Sequence, residues 1–331
     1  MEPSTVGMEI RGTLTPEAEE FVRQWQSSAS YITARTSGST GEPKEIHLLK
    51  EDMRRSAAAT NRYFGITPQS TLLLPLSPDY IAGKMQIVRC IEAKCAILCE
   101  HPSNHPFAKT EIPEATMIPI VPSQIEGFLE SAIAQKVANV IVGGAPVSAA
   151  QEQLLSGLRG NAFATYGMTE TCSHVALRRI GQPEFTPLPG FSFSTDHRRC
   201  LVIDSATLSF RHLVTNDMVR LCPSGGFVWL GRWDNVINSG GLKIFPEEIE
   251  AKLMPLLPPD RHAYVTGRQS DKWGTEAVIV TDWAELTIPM LRSLDIPHSR
   301  MLKDIIYRDT LPFTGSGKII RHLLLCHEDN K

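Results

Sequence analysis

Apolar residues in the first half of the chain form short unbroken runs that alternate with segments of helical spacing. Thr15, Pro16 and Glu17 mark the start of the first helix, because a hydroxyl can cap it, proline suits its first position and an acid follows. The predicted helices are 15–28, 50–63, 81–93, 123–135 and 148–158, and the predicted strands are 31–33, 71–76, 96–98, 139–144 and 161–166. Since helix follows strand repeatedly and the strands are almost wholly apolar, the pattern predicts a parallel sheet with helices on both faces.

A change of pattern divides the chain. Between about 190 and 232 the sequence favours short strands and turns, and beyond 232 it is mixed again, with a helix near 246–254 and a strand near 275–281. The segment Gly-Arg-Trp-Asp-Asn marks the boundary. We therefore expect an α/β protein whose large N-terminal domain, 1–232, combines a mostly parallel sheet with a β-rich subdomain, followed by a small α+β C-terminal domain, 233–331.

Composition narrows the function classes without changing this fold. A chain of 331 residues exceeds the length that one core usually serves, and its 42% hydrophobic and 21% charged residues are ordinary for a globular protein. The net charge of −3 argues against nucleic acid or anionic lipid as the main partner. The N-terminus lacks a signal-peptide pattern and no apolar run approaches a bilayer span, which predicts a cytoplasmic protein without membrane insertion. The seven cysteines lack metal-type spacing and indicate reduced thiols.

The segment Thr-Ser-Gly-Ser-Thr-Gly-Glu-Pro-Lys at 36–44 is dense in hydrogen-bond donors. Glycines allow backbone N–H groups to turn inward, the hydroxyls add further donors and Lys44 adds a positive charge. These properties suit a polyphosphate, although the segment does not follow the Walker pattern. A flexible surface loop has the same composition and is the alternative.

A second polar segment, Thr-Tyr-Gly-Met-Thr-Glu-Thr at 165–171, directly follows an apolar strand. In open α/β folds, ligands bind where parallel strands end at their carboxyl termini. Glu170 could there hold Mg²⁺ against phosphate oxygens, and Thr169 could donate a hydrogen bond. The alternative for Glu170 is an acid that complements a helix N-terminus.

Two more segments place polar groups on a strand and a loop. Asp217 lies on a predicted strand and can accept both hydroxyls of a ribose, with Arg232 in support. Lys318 ends the glycine-containing segment 311–318. Turn chemistry for the Asp-Asn and Gly-Gly pairs, and a solvated loop for the lysine, are the alternatives.

Together and in this order the segments are specific enough to indicate one protein family. The combination of 36–44, 166–171, 215–217, 231–250 and 311–318 resembles the acyl-adenylate-forming (AMP-binding) family of acyl-CoA synthetases, adenylation domains and luciferases. These matches cover most of the chain. The resemblance implies an enzyme that uses ATP, Mg²⁺ and coenzyme A (CoA) to activate a small carboxylic acid through an acyl-adenylate.

The resemblance also implies which residues bind the nucleotide. Residues implied to hold the ATP phosphates are Thr36, Ser37, Gly38, Ser39, Thr40, Gly41 and Lys44. Residues implied to form the adenine and acyl pocket are Gly143, Gly144, Ala145, Pro146, Tyr166 and Gly167. Thr169 would contact the α-phosphate, Glu170 would bind the magnesium ion, and Asp217 with Arg232 would bind the ribose.

By the same resemblance, the C-terminal domain is mobile and carries the catalytic lysine. Lys318 would reach the substrate carboxylate and the α-phosphate, where its charge offsets the charge that builds up as pyrophosphate leaves. Rotation about a hinge at Asp234 would then withdraw Lys318 and present Gly240, Gly241 and Leu242 to CoA.

The sequence departs from the family pattern in two places. Only 35 residues precede the phosphate loop, where the family usually has a much longer segment. We therefore expect a shortened N-terminal domain whose acyl pocket is less enclosed or is completed by another subunit of a homo-oligomer. The family also often places a histidine after the strand 71–76, whereas Ser-Pro-Asp-Tyr follows here.

The segment 166–177, Tyr-Gly-Met-Thr-Glu-Thr-Cys-Ser-His-Val-Ala-Leu, is close to its counterpart in the o-succinylbenzoate–CoA ligases of menaquinone biosynthesis. This resemblance implies o-succinylbenzoate as the acid. The aromatic carboxylate of that substrate is not consumed and needs a cationic partner, for which Lys84, Arg89 and His174 are candidates. Each cation is otherwise expected on a solvated helix face, so the assignment is a hypothesis.

Other functions remain compatible with the sequence. One is another aryl- or acyl-CoA ligase, or a stand-alone adenylation enzyme that loads an acyl group onto a carrier protein. A function of another class is a non-catalytic, nucleotide-binding scaffold. The presence of Glu170, Asp217 and Lys318 argues against the scaffold, because a protein that no longer catalyses the reaction has no physical need for these residues.

Overall fold

The computed structural model describes residues 7–35, 45–258, 260–292, 302–313 and 319–325. Its helices are α1 Pro16–Gln26, α2 Lys50–Phe64, α3 Ile81–Ala93, α4 Ile125–Leu129, α5 Ala149–Leu155, α6 Pro246–Leu253 and α7 Ile288–Arg292. Its first ten strands are β1 Glu9–Arg11, β2 Tyr31–Arg35, β3 Glu45–Leu49, β4 Thr71–Leu74, β5 Ala96–Cys99, β6 Ala115–Ile120, β7 Val137–Val142, β8 Asn161–Gly167, β9 His174–Arg179 and β10 Thr186–Pro187. The remaining strands are β11 Phe191–Thr195, β12 Cys200–Ser205, β13 His212–Leu221, β14 Phe227–Arg232, β15 Ile237–Ser239, β16 Leu242–Ile244, β17 Ala263–Ser270, β18 Gly274–Thr281 and β19 Leu302–Tyr307.

The largest sheet has eight strands in the order β1-β5-β4-β6-β7-β8-β9-β10. All neighbours from β1 to β8 are parallel, and β9 and β10 continue the sheet antiparallel. The predicted mostly parallel sheet is therefore confirmed. Because the parallel strands all end at the same edge, the loops that follow β4, β7 and β8 lie on one side of the sheet.

Both faces of this sheet are covered. Leu72 and Leu74 belong to the core cluster that includes helices α1, α2 and α3, whereas Leu73 belongs to a second cluster with α4. This division follows from the alternation of side chains along a strand. It also explains why β4 reads as an unbroken apolar run.

Some details of the sequence prediction were wrong or missed. The predicted helix 123–135 is only the short α4 flanked by 3₁₀ turns at Pro122–Gln124 and Ala134–Lys136. Strand β6 was not predicted, because its sequence Ala-Thr-Met-Ile-Pro-Ile contains a proline, which normally argues against a central strand.

The segment predicted to be β-rich contains β11, β12, β13 and β14, which form an antiparallel sheet. The C-terminal segment forms the hairpin β15–β16 and a sheet in which β18 lies between β17 and β19. A separate core cluster, running from Ile237 to Leu302, holds these strands and α6 together. The division of the chain at 232 stays a prediction. Within the described ranges, no helix combines the length and apolarity needed to cross a lipid bilayer.

Candidate functional site

Two segments of the predicted chemistry lie outside the described residues. Strands β2 and β3 form an antiparallel hairpin, and the predicted phosphate loop connects them. The loop residues Thr36, Ser37, Gly38, Ser39, Thr40, Gly41 and Lys44, and the predicted catalytic Lys318, all lie outside the described ranges. Their roles stay predictions.

The predicted adenine and acyl pocket combines two segments that the sheet brings side by side. Strands β7 and β8 are parallel neighbours, so Gly143 emerges next to Thr165. A Cβ atom on Gly143 would meet the Thr165 hydroxyl oxygen at 2.6 Å, which shows how tightly the two segments pack. Gly144, with φ of +89°, then turns the chain toward Ala145 and Pro146. The structure therefore places 143–146 and 165–167 at the same sheet edge.

The turn between β8 and β9 holds Thr169 and Glu170 at the surface. The Thr171 side chain is fully buried, and its hydroxyl accepts from the Met168 N–H. Its single hydroxyl hydrogen lies within reach of the Met168 and Ser173 carbonyl oxygens, at 2.9 and 2.6 Å from the hydroxyl oxygen. A buried anchor at the centre of the turn leaves its neighbours free to project outward. Thr169 is half-buried and Glu170 is exposed.

Glu170 has the properties of a magnesium ligand that shares its ion with a nucleotide. In the described part of the chain no group of three His, Cys, Asp or Glu side chains could hold a metal by itself. Mg²⁺, however, is commonly bound through one or two carboxylates together with substrate phosphates. An exposed carboxylate at the carboxyl end of β8 fits that donor set. The alternative of an acid at a helix N-terminus is not supported, since Glu170 lies within a three-residue 3₁₀ turn, Thr169–Thr171, and strand β9 follows instead of a helix.

Asp217 lies at the centre of a polar group that we call the Asp217 cluster: Asp217, Tyr166, Trp229 and Arg232. The Tyr166 hydroxyl donates to Asp217 Oδ2 at 2.6 Å, and the Trp229 indole N–H donates to Oδ1 at 3.3 Å. Strand pairing sets Arg232 directly opposite Asp217, with Nη1 3.7 Å from Oδ1. Burial, followed by the charge and hydrogen bond of Asp217, raises the pKa of Tyr166, so its hydroxyl stays protonated and donates.

Arg232 also binds Asp234, the predicted hinge residue. Its Nη2 donates to Asp234 Oδ2 at 2.6 Å, and the Asn216 side chain donates to Asp234 Oδ1 at 3.1 Å. Burial alone would lower the pKa of Arg232, but the bond to Asp234 and the charge of Asp217 raise it. The Asp234 side chain is therefore tied to the β13–β14 sheet, and its hinge role stays a prediction.

A second group, the Arg89 cluster, consists of Arg89, Gln86, Ser173 and His174. Arg89 is 2% exposed, and its guanidinium donates to Gln86 Oε1 at 3.2 Å and Ser173 Oγ at 2.5 Å. Arg89 Nε has no hydrogen-bond partner within the described ranges, and none of its described neighbours is a carboxylate that offsets its charge. Burial lowers the pKa of Arg89 to about 9, which still leaves the group positively charged at neutral pH.

His174 is buried against Arg89 and is neutral. Burial, and then the charge of Arg89, hold the pKa of His174 well below its ordinary value. Its Nε2 lies 3.2 Å from the Thr60 hydroxyl, and that hydroxyl donates to the Ser56 carbonyl oxygen. Because the single hydroxyl proton is used on Ser56, a neutral imidazole with its proton on Nε2 satisfies this contact.

The expectation that Lys84, Arg89 and His174 lie on solvated helix faces was wrong. Helix α3 packs against the sheet, α1 and α2, and most of its residues are buried. Arg89 and His174 come together, but Lys84 points to the α1 side, where its ammonium group contacts the Pro78 carbonyl oxygen and lies 5.3 Å from the Phe21 ring centroid. Lys84 is therefore not part of the Arg89 cluster.

The predicted CoA segment is a hairpin turn rather than a strand. Gly240 and Gly241, with φ of +56° and +85°, form the two-residue connection between β15 and β16, and Leu242 begins β16. Two consecutive positive φ values favour glycine at both positions. The turn explanation from the sequence is correct for these glycines, and CoA binding stays a prediction.

Sequence reasoning missed Gln86, Ser173 and Trp229. Ser173 stands beside a predicted site residue, but serine is too common to single out. Gly167 could have drawn attention to it, because a Cβ there would meet the Ser173 carbonyl oxygen at 2.3 Å, so only glycine allows β8 and β9 to approach there. Trp229 precedes Arg232 by an odd number of residues, which in a regular strand sets the two on opposite faces.

Comparison with known proteins gives these observations a context. The sequence model of the family described as "AMP-binding enzyme" matches residues 16–210, which is more than half of the chain. A curated relative from Listeria monocytogenes, named 2-succinylbenzoate–CoA ligase, is 26% identical over 93% of this chain and 72% of its own length. A relative of the same name from Bacillus subtilis is 25% identical over 93% of this chain and 71% of its own length.

Two solved structures share the fold. The crystal structure of an acyl-CoA synthetase (AMP-forming)/AMP-acid ligase II-like protein from Dyadobacter fermentans is 30% identical, with a TM-score of 0.62 and 95% of each chain covered. O-succinylbenzoate coenzyme A synthetase from Bacillus subtilis, in complex with ATP and magnesium ion, is 20% identical, with a TM-score of 0.75 over 88% of this chain and 69% of its own.

Proposed function

Because this chain belongs to the AMP-binding enzyme family, we propose that it is an AMP-forming acid–CoA ligase acting on o-succinylbenzoate. ATP would convert the succinyl carboxylate into an acyl-adenylate with release of pyrophosphate, and CoA would then displace AMP to give o-succinylbenzoyl-CoA. The names of the curated relatives support this substrate and its place in menaquinone biosynthesis.

The observation that carries the substrate assignment is the Arg89 cluster. A guanidinium that is 2% exposed and has no carboxylate beside it among the described residues is costly to bury. A substrate carboxylate that is not consumed would supply the missing charge. Planar guanidinium groups bind carboxylates through paired hydrogen bonds, and Arg89 still has an unpaired Nε–H.

The position of this cluster suits the second carboxylate of o-succinylbenzoate. Ser173, which accepts from Arg89, directly follows the turn that carries Thr169 and Glu170. Gly167 pairs with His174 across β8 and β9, and His174 is buried against Arg89. The nucleotide segment and a neighbour of the cation therefore share one strand pair. An acid bound with its aromatic carboxylate at Arg89 would therefore direct its other end toward the turn where ATP is expected.

The nucleotide would bind across the carboxyl edge of the sheet and the Asp217 cluster. Asp217 would accept the ribose hydroxyls, Arg232 would support it, and Tyr166 with 143–146 would contact the adenine. Magnesium would be held by Glu170 and the phosphates, where it neutralises charge during the displacement. The loop 36–44, Lys318 and the hinge Asp234 keep the roles that the family resemblance implies.

Two further properties follow from the proposal. We assign residues 233–331 to a mobile domain because residues from Ile237 onward have their own core cluster. We place the reaction in the cytoplasm, where ATP and CoA are available. A homo-oligomer that completes the acyl pocket remains compatible with the proposal.

The proposal is tested by incubating the purified protein with MgATP, CoA and o-succinylbenzoate and following AMP and thioester together. We expect both products in equal amounts, and their loss in Lys318→Ala. AMP formation with other carboxylic acids but not with o-succinylbenzoate would contradict the substrate and keep the chemistry. Absence of both products with every acid would contradict the enzyme assignment and leave nucleotide binding as the function.

A further inference from the structure

Trp229 reaches Asp217 only because strand β14 contains a bulge. Arg232 pairs with Asp217 and Gly231 with Met218, but the next pair is Trp229 with Val219, so Leu230 is an extra residue. In a regular register Trp229 would lie opposite Arg220, on the other face of the sheet. The bulge moves Trp229 onto the face shared by Asp217 and Val219, which is a common use of bulges next to active sites.

The donors in the Asp217 cluster occupy the carboxylate in a defined way. An ionised carboxylate has about four acceptor positions, two on each oxygen. Tyr166 uses one on Oδ2 and Trp229 uses one on Oδ1. Arg232, at 3.7 Å, contributes charge without a short hydrogen bond. One acceptor position therefore remains on each oxygen, which matches the two neighbouring hydroxyls of a ribose.

We propose that Trp229 is a positioning residue that sets Asp217 to recognise the 2′- and 3′-hydroxyls of a ribonucleotide together. The inference rests on the proposed ribose role of Asp217. Rotation about the last side-chain bond of an aspartate is only weakly restricted, so without fixed donors the two oxygens would not hold one orientation. Tyr166 fixes one oxygen, and Trp229 fixes the other.

Tryptophan suits this role in two ways. Its indole N–H is a donor only, so it cannot compete with the carboxylate for the hydroxyl hydrogens of the ribose. Its ring also packs against the main hydrophobic core, which holds the N–H in place. The same side chain therefore links the orientation of the carboxylate to the packing of the main hydrophobic core.

The test compares the binding of AMP and 2′-deoxy-AMP to the full chain by titration calorimetry. In Trp229→Phe, which removes the N–H and keeps a ring, we expect the preference for AMP to fall about tenfold or more, the value of one charge-assisted hydrogen bond. Affinity for 2′-deoxy-AMP should stay within about twofold, since it can use only one of the two acceptor positions. Trp229→His, whose ring carries an N–H at similar reach, should recover part of the preference.

Trp283 supplies the matched control. Its indole N–H also donates to a carboxylate, Glu285 Oε2 at 3.0 Å, but it lies in the C-terminal segment. Trp283→Phe should keep the wild-type preference. An unchanged preference in Trp229→Phe, or an equal loss of both affinities, would overturn the positioning role and leave the proposed ligase intact. Failure of the wild-type protein to bind either nucleotide would overturn both.

Discussion

Asp217 and Arg89 are both nearly buried charged side chains, 8% and 2% exposed, yet their surroundings differ. Asp217 has a cation opposite it and receives two fixed donors. Arg89 has only neutral partners among the described residues, and one of its N–H groups is unpaired. The charge of Asp217 is therefore balanced without a ligand, whereas the charge of Arg89 has no negative partner among the described residues.

This difference suggests what each cluster recognises. A paired and oriented carboxylate can still accept hydroxyl groups, so it suits a neutral part of a ligand such as a ribose. An unpaired buried cation gains most from an anion, because the ligand then removes the cost of burying the charge alone. We therefore expect the two clusters to respond differently to the loss of their central charge.

The largest effect is expected from Asp217→Asn. The amide keeps the shape of the side chain but replaces one acceptor oxygen with a donor, so one ribose hydroxyl meets no acceptor. The bond to the other hydroxyl also loses its charge assistance. We expect kcat/KM for ATP to fall roughly 300-fold, since charge-assisted hydrogen bonds are worth about 1.5–3 kcal/mol each and both are affected. Steady-state kinetics at saturating acid and CoA measure this. A change below about fivefold would show that the ribose does not bind Asp217.

Arg89→Met should separate activity from stability. We expect kcat/KM for o-succinylbenzoate to fall about 100-fold through loss of charge-assisted hydrogen bonds. Stability should be unchanged or higher, because an uncompensated buried cation is replaced by an apolar side chain of similar length. Kinetics with the acid varied, together with urea unfolding, measure both. Retained activity with lower stability would identify Arg89 as a purely structural residue.

The fold was largely predictable, because the alternation of apolar runs and helical spacing is a local property. The capped start of α1 at Thr15, the bounds of α3 and the antiparallel sheet after residue 190 follow from such patterns. The environment of Arg89 was not predictable. Its helix looks mixed in charge, and only the packing of α1 and α2 around α3 shows that the guanidinium is buried.

Site residues that lie in a recognisable sequence motif could be predicted. Residues that join the site only through the register of paired strands could not. Asp217 and Arg232 were both predicted as ribose-binding residues from their segments, and they face each other because β13 and β14 are paired. Trp229 joins them through the bulge at Leu230. Gly231, with φ of +144°, is the residue type that is typical of a bulge, but the sequence does not show which neighbouring side chain changes face. A single extra residue in a strand changes which side chains share a face.

His174 should make stability depend on pH. Burial and Arg89 lower its pKa in the folded protein below the ordinary value of 6.5, so the unfolded chain binds the proton more readily. The free energy of unfolding should therefore be highest above pH 6.5 and fall by up to about 1.4 kcal/mol per pH unit as the pH drops below it. Urea unfolding between pH 7.5 and 5 tests this. His174→Asn should have a flatter profile than the wild type, and an identical profile would contradict the assignment.

The smallest effect on activity is expected from Lys84→Met. This variant tests whether the substrate carboxylate depends on the Arg89 cluster and not on the other buried cation of helix α3. Lys84 lies on the same helix as Arg89 but contacts Pro78 and Phe21 on the α1 side, and burial lowers the pKa of its ammonium group. A methionine keeps the apolar contact with Phe21 and removes the charge. We expect KM for o-succinylbenzoate to change by less than about twofold, since loss of a charged hydrogen bond to the acid would cost tenfold or more. Arg89→Met, measured in parallel, serves as the positive control. A rise in KM of similar size in both variants would contradict this expectation. It would mean that Lys84 also contributes to binding of the acid, so that the carboxylate does not depend on the Arg89 cluster alone.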